Sequence, residues 1–172
     1  MRVAQCVLAL AAATLVASAS TFAQPPGTPR TRPPLVMKVF ASSGNVAALI
    51  AKAKRDHKPG QALVIEPLLH LAPYTANLEY RTAVGAAAIH VHEDEFFYVI
   101  SGSGTLVTGG KLTHAVNTNA ENVSGDSIVG GTATPVAEGD FIVVPENTPH
   151  WFSTINGSII DMSLHVPGSP AH

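Results

Sequence analysis

The stretch His90-Val91-His92-Glu93-Asp94-Glu95-Phe96-Phe97-Tyr98-Val99-Ile100-Ser101-Gly102 sets the chain's densest group of metal-capable side chains against an aromatic, β-branched run closed by glycine. The run from Phe96 to Ser101 reads as a strand. Alternate strand side chains share a face, so His90 and His92 would converge on one ion where their strand lines a cavity. Glu95 shares the phase of Phe97 and Val99 but not that of His92. A turn or bulge at Glu93-Asp94 must therefore reset the alternation if Glu95 is to join the histidines. A second unit, Gly139-Asp140-Phe141-Ile142-Val143-Val144-Pro145-Glu146-Asn147-Thr148-Pro149-His150, reads as strand, turn and strand and offers His150 as the distant ligand.

Working outward, short β-rich segments fill the region from 60 to 168: Ala62 to Leu71, Asn77 to Val84, Ala86 to His92, Phe96 to Ser101, Gly104 to Thr108, Asp140 to Val144, His150 to Ile155 and Ile159 to Val166. Pro73, Gly85, Gly102, Gly109-Gly110, Gly139, Pro145 and Asn156-Gly157 supply the turns. No helix alternates with these strands, so the sequence predicts an all-β sandwich or barrel rather than a parallel α/β sheet. Residues 35–59 form an N-terminal extension, with a short strand over Val36 to Phe40. Its helix is capped near Ser42-Ser43-Gly44-Asn45, carries Val46, Leu49, Ile50 and Ala53 on one face, and stops at Pro59-Gly60. Lys111 to Pro135 is polar and weakly periodic, which predicts a functional flap or a mobile loop.

The two quoted units resemble the cupin family. The first motif of that family matches Gly85, His90, His92, Glu95 and Gly102, and the second matches Gly139, Pro145, Asn147 and His150. His92 and Glu95 are separated by two residues, where the family usually has three or four. Asn147 stands where the family has glycine, and asparagine tolerates a left-handed backbone. The resemblance, to a small single-domain cupin of the cupin 2 conserved-barrel type, implies a double-stranded β-helix, a jelly-roll-like barrel. It also implies a metal in the barrel mouth held by His90, His92, Glu95 and His150, and a homodimer. Nitrogen and oxygen ligands of this kind suit Mn, Fe, Zn, Ni or Cu.

By strand parity, Phe97, Val99 and Phe152 would line a substrate pocket beside the ion or fill the barrel core, and Trp151 would face away from it. Arg81 on the preceding strand is a candidate partner for a substrate carboxylate or an ordinary ion-pair residue. Glu93 or Asp94 at the rim is a candidate base. His165 lies in the terminal strand and is a possible contributor to the barrel.

The full chain has 172 residues, 46% hydrophobic and only 13% charged, which excludes a disordered chain or a coiled coil. Arg2, the apolar run Val3 to Ala17 and small residues at Ser18, Ala19, Ser20 and Ala23 read as a secretory signal peptide over 1–23, cleaved after Ala23. Residues 24–34 then form a Pro-rich linker and 169–172 a tail. Cleavage removes Arg2 and the one cysteine, Cys6, and moves the net charge from −2 to −3. The expected product is periplasmic or secreted, without a stable membrane anchor and without thiol chemistry. No basic stripe is present, so nucleic acid is not an expected partner.

These features lead to an exported cupin that binds a divalent transition metal and acts on a small organic substrate, with chemistry of dioxygenase, isomerase or decarboxylase type. The alternative is a non-catalytic small-molecule binder with a degenerate or absent metal site.

Overall fold

The computed structural model describes residues 37–168. The expected signal peptide, the linker and the tail after residue 168 lie outside the described residues. Of the strand expected over Val36 to Phe40, the described part makes one antiparallel bridge, Lys38 to His70.

Helix α1, Ser43–Asp56, begins as its sequence requires: the Ser42 side chain accepts from the Asn45 amide at 3.2 Å, and the Asn45 side chain accepts from the Ser42 amide at 3.1 Å. This reciprocal cap satisfies two donors that the first helical turn leaves free. Lys54 and Arg55 oppose the dipole in the last turn.

The remainder is antiparallel β-structure: β1 Leu63–Leu71, β2 Tyr74–Arg81, β3 Ala87–His90, β4 Glu93–Thr108, β5 Lys111–Leu112, β6 Val116–Asn117, β7 Asn122–Gly125, β8 Ile128–Val129, β9 Thr132–Ala137, β10 Phe141–Val144 and β11 His150–Pro167. β11 is the spine, pairing with β2, with β4 and, at His150, with β3. β1 extends the sheet beyond β2, β9 and β10 flank β4, and β7 and β6 follow β3. The expected all-β barrel with a helical extension is thus the observed fold.

Two expected breaks are absent. β4 runs through Gly102 and β11 runs through Asn156-Gly157, with the extra residues absorbed by a register shift between Ile155 and Ile159. Gly102 has φ of 91°, and a Cβ there would sit 2.0 Å from the Ser158 carbonyl oxygen. Only glycine permits both the backbone conformation and that approach. The segment Lys111 to Pro135, expected as a functional flap or a mobile loop, folds into β5 to β8 and most of β9, and β7 pairs with β3 so that Asn122 lies opposite His90. Short pairings, rather than long-range periodicity, hold this segment.

Strand alternation divides the sheet into two faces. Val64, Leu78 and Ile160 pack with Ala53, and Val46, Leu49, Ile50 and Met162 lean on this cluster, so α1 covers one face. Odd positions on the same strands turn the other way, and Leu63, Ile65, Asn77, Glu79, Arg81 and His165 reach the barrel cavity. Deeper in the barrel Phe97, Val99, Leu106, Val136, Val144, Phe152 and Ile159 form the apolar core. Full burial of one such large side chain contributes about 1.5–3 kcal/mol.

Candidate metal centre and ligand cavity

Glu95, 3% exposed, is the centre of a cluster of imidazoles. His90 Nε2 and His150 Nε2 lie 3.2 and 3.0 Å from its Oε2, and His165 Nε2 lies 3.4 Å from Oε1. The His90 ring is 5.2 Å from that of His150 and 4.7 Å from that of His165, centroid to centroid. One ligand atom each from His90, Glu95 and His165 falls within 4.8 Å of the others. β3 brings His90, β4 brings Glu95, and the two ends of β11 bring His150 and His165.

His92 does not join them. β3 ends at His90 and the chain bends at Val91-His92 before β4 starts, so the phase resets two residues earlier than expected at Glu93-Asp94. His92 is exposed, and its carbonyl accepts from the Gly168 amide at 2.7 Å. The bend also accounts for the short motif spacing. Four residues separate His90 from Glu95, the usual interval between the motif's second histidine and its glutamate, so His90 takes that second place. Ala88, which lines the cavity opposite His150 in register, stands where the first histidine would be. His165, opposite Glu95 in register, supplies the third imidazole instead. The pattern that could have found it is the polar alternation Asp161, Ser163, His165 against Ile160, Met162, Leu164, which marks a polar inner face on β11.

Two of the imidazoles are oriented from behind. His90 Nδ1 lies 2.6 Å from the Asn122 side-chain oxygen and His150 Nδ1 3.2 Å from the Thr148 carbonyl. Both partners only accept, so each Nδ1 carries the hydrogen, and in the neutral ring Nε2 turns a lone pair toward Glu95. The Asn147 amide donates to the His90 carbonyl at 2.7 Å, with Asn147 in the left-handed region at φ 56°, as its place in the second motif anticipates. Glu95 Oε2 and His165 Nδ1 are buried without a hydrogen-bond partner, although imidazole nitrogens touch the former and Glu93 lies 3.2 Å from the latter. Burial alone would raise the Glu95 carboxyl, but His150 and His90 outweigh it and hold the group well below the usual carboxylate range. Burial likewise opposes a charged His90, yet Glu95 and Asn122 raise its pKa above the ordinary value.

The cluster opens into a cavity of about 210 Å³. Arg81 faces it, with Nε donating to Asp161 at 3.0 Å and a terminal nitrogen paired with Glu79. Its guanidinium carbon lies 4.3 Å from the Phe152 ring centroid. Burial works against this cation, but Glu79 and Asp161 overcome it and hold the guanidinium more firmly protonated than usual. Arg81 is therefore an inward ion-pair residue whose charge is met by the protein. Phe152 lines the cavity as expected, whereas Phe97 and Val99 are core residues at 1% and 0% exposure. Trp151 corrects its expected outward orientation: it lines the cavity and donates from Nε1 to the Gly85 carbonyl at 2.9 Å. At the rim Asp94 caps the second-motif turn by accepting from the Glu146 amide at 2.8 Å.

The sequence profile of the family described as Cupin matches residues 58–160, more than half of the chain. The chain belongs to the cupin family. Among solved structures, this cupin is similar to HppE with FeII at 16% identity and a TM-score of 0.48, over 62% of this chain and 52% of the other. It therefore spans about half the length of HppE. It is also similar to a Streptomyces PAC13 variant with uridine at 16% identity and a TM-score of 0.45, over 66% of this chain and 76% of the other. A search of curated protein sequences returns no match.

Proposed function

We propose that this cupin binds one divalent transition metal (Mn, Fe, Zn, Ni or Cu) through His90, Glu95, His150 and His165, and acts on a small organic substrate in the adjoining cavity. The carrying observation is that imidazole nitrogens converge on one buried carboxylate oxygen that has no hydrogen-bond donor, while carbonyl oxygens behind His90 and His150 fix their tautomers. Such a donor set fits a borderline metal, which would take the Nε2 lone pairs left free by the acceptors behind His90 and His150. When bound, the ion would supply Lewis-acid or redox chemistry of dioxygenase, isomerase or decarboxylase type. The chain's own residues do the rest. Asn122 and Thr148 orient the imidazoles, Leu63, Ile65, Trp151 and Phe152 exclude water, and Arg81 presents hydrogen-bond donors to the ligand. Elemental analysis of purified protein should find about one transition-metal ion per chain, given one convergent ligand set. Retention of that metal by the His90→Ala/His150→Ala double variant would reject the assignment.

The alternative, a binding cupin without metal, draws support from Ala88 at the first-histidine position and from the imidazole contacts that already surround Glu95. A wild-type protein that neither contains nor takes up metal, yet binds a small molecule in the cavity, would establish it. Export rests on the N-terminal sequence, and mature protein from the periplasm or medium should begin at Gln24. The proposed homodimer is supported by the exposed apolar face of Tyr98, Phe141, Val143 and Leu164 on neighbouring strands. Light scattering at micromolar concentration should give twice the chain mass.

A further inference from the structure

The metal reading accounts for one end of the cavity and leaves the Arg81 end unused. A buried arginine in a ligand cavity ordinarily suggests a bound carboxylate or phosphate. Here that inference fails on charge. Glu79 and Asp161, 4% and 0% exposed, both pair with Arg81. Ser163 Oγ braces this trio by donating to Glu79 Oε1 at 3.1 Å. Two carboxyls against one guanidinium give a net charge of −1. Burial, with Glu79 alongside, pushes the Asp161 carboxyl up to about 7, and a proton there brings the trio to zero and no further. In neither state is this end of the cavity positive.

Arg81 nevertheless retains donor capacity. A guanidinium has five N–H groups. Among the described residues, Asp161 meets Nε and Glu79 meets one terminal nitrogen, and no protein acceptor meets the other. That nitrogen is not fully buried, and Arg81 is one of the residues that line the cavity. Beside it, Leu63, Ile65, Trp151 and Phe152 are apolar or aromatic walls. The volume of about 210 Å³ lies below the ~300–1,000 Å³ of typical ligand pockets.

We propose that the Arg81 end of the cavity recognises an uncharged oxygen acceptor, a hydroxyl or a carbonyl, and rejects carboxylates and phosphates, so that the site selects small, neutral, partly apolar molecules. This deepens the reading of the cavity as a ligand site and rests on it, but not on the presence of a metal. An anionic ligand group would meet Glu79 in a poorly screened interior and find no uncompensated cation there. A neutral oxygen accepts the free Arg81 N–H without disturbing either ion pair, and its apolar portion covers Phe152 and Trp151.

The chain has a single tryptophan, Trp151, and it lines this cavity, so intrinsic fluorescence reports occupancy directly. Full-length mature protein, dialysed against a chelator, is titrated with matched pairs: isobutyramide against isobutyrate, and 1,2-propanediol against lactate. The neutral member of each pair should give a saturable Trp151 response with a Kd at least about tenfold below that of its carboxylate partner. Glu79→Gln, which removes one carboxylate while keeping the shape, should close that gap. Equal or tighter carboxylate binding by the wild type overturns the proposal, as does the absence of a saturable response to both neutral probes. Should Glu79→Gln fail to fold, the wild-type pairs alone decide. Because the titration uses metal-free protein, a failed metal assignment leaves its result standing, and repeating it after metal addition tests the two readings separately.

Discussion

One cavity holds two buried carboxylate clusters, and they differ in what the protein places around the acid. Glu95 is ringed by His90, His150 and His165, groups that change charge and expose lone pairs. Asp161 and Glu79 are locked to Arg81, a permanent cation, with Ser163 completing the network. The consequence appears in their proton affinities: Glu95 is held low, whereas Asp161 is pushed up to about 7 because burial and a second carboxylate outweigh its share of one guanidinium. Similar burial thus yields an adaptable, ligand-like cluster at one end and a fixed polar wall at the other. The contrast teaches that burial alone does not define a site; the protonation freedom of the partners does.

The sharpest way to break the contrast is to remove the fixed cation. Arg81→Met should lower unfolding stability by about 3–5 kcal/mol in denaturant titration, because two buried carboxylates lose their partner. Adding Asp161→Asn should restore part of that loss. An Arg81→Met protein as stable as wild type would show that the cation is not what secures this wall.

At the adaptable end the expected effect is on affinity. Asn122→Ala frees the Nδ1 side of His90 and should weaken metal binding by about 10–100-fold in competition with a chelator, with the melting temperature of the metal-free protein little changed. Unaltered affinity would remove Asn122 from the support of the site.

Two pH profiles test the opposite shifts. Glu95 has a folded pKa below its ordinary value of 4.5, so its stabilisation is present above that value and is lost as pH falls through the acid range. Glu95→Gln should therefore show a shallower acid loss of stability than wild type. Asp161 has the reverse sign: its folded pKa of about 7 exceeds the ordinary 3.8, so it contributes a decline in stability as pH rises between those values. Asp161→Asn should lack that component, seen as a converging difference between the two stability curves toward low pH. Parallel curves would mean that Asp161 does not titrate in this window.

Much of the fold was legible because local chemistry and tertiary structure agree. Ser42 and Asn45 cap α1 as their types predict, and the apolar alternation of Phe97 and Val99 places both inside the barrel. The turn at Asn147 was legible from its tolerance of positive φ. Less legible were the continuous strands β4 and β11, since Gly102 and Asn156-Gly157 carry turn-like residues whose strand role depends on a close neighbour and a register shift. The strands of the segment from 111 to 135 were less legible for a related reason: they are too short for periodicity to register, and β7 is defined by its partner β3.

By itself the sequence determined the all-β cupin barrel, its capped helix, and His90, Glu95 and His150 as residues that the fold brings together. These follow from motif order, strand parity and helix capping, which act over a few residues. Only the tertiary structure decided that His92 turns outward, that His165 replaces it, and that Arg81 is already paired. Each depends on where a bend falls or which distant strand lies alongside, and a pairing between positions such as Arg81 and Asp161 leaves no trace in local periodicity.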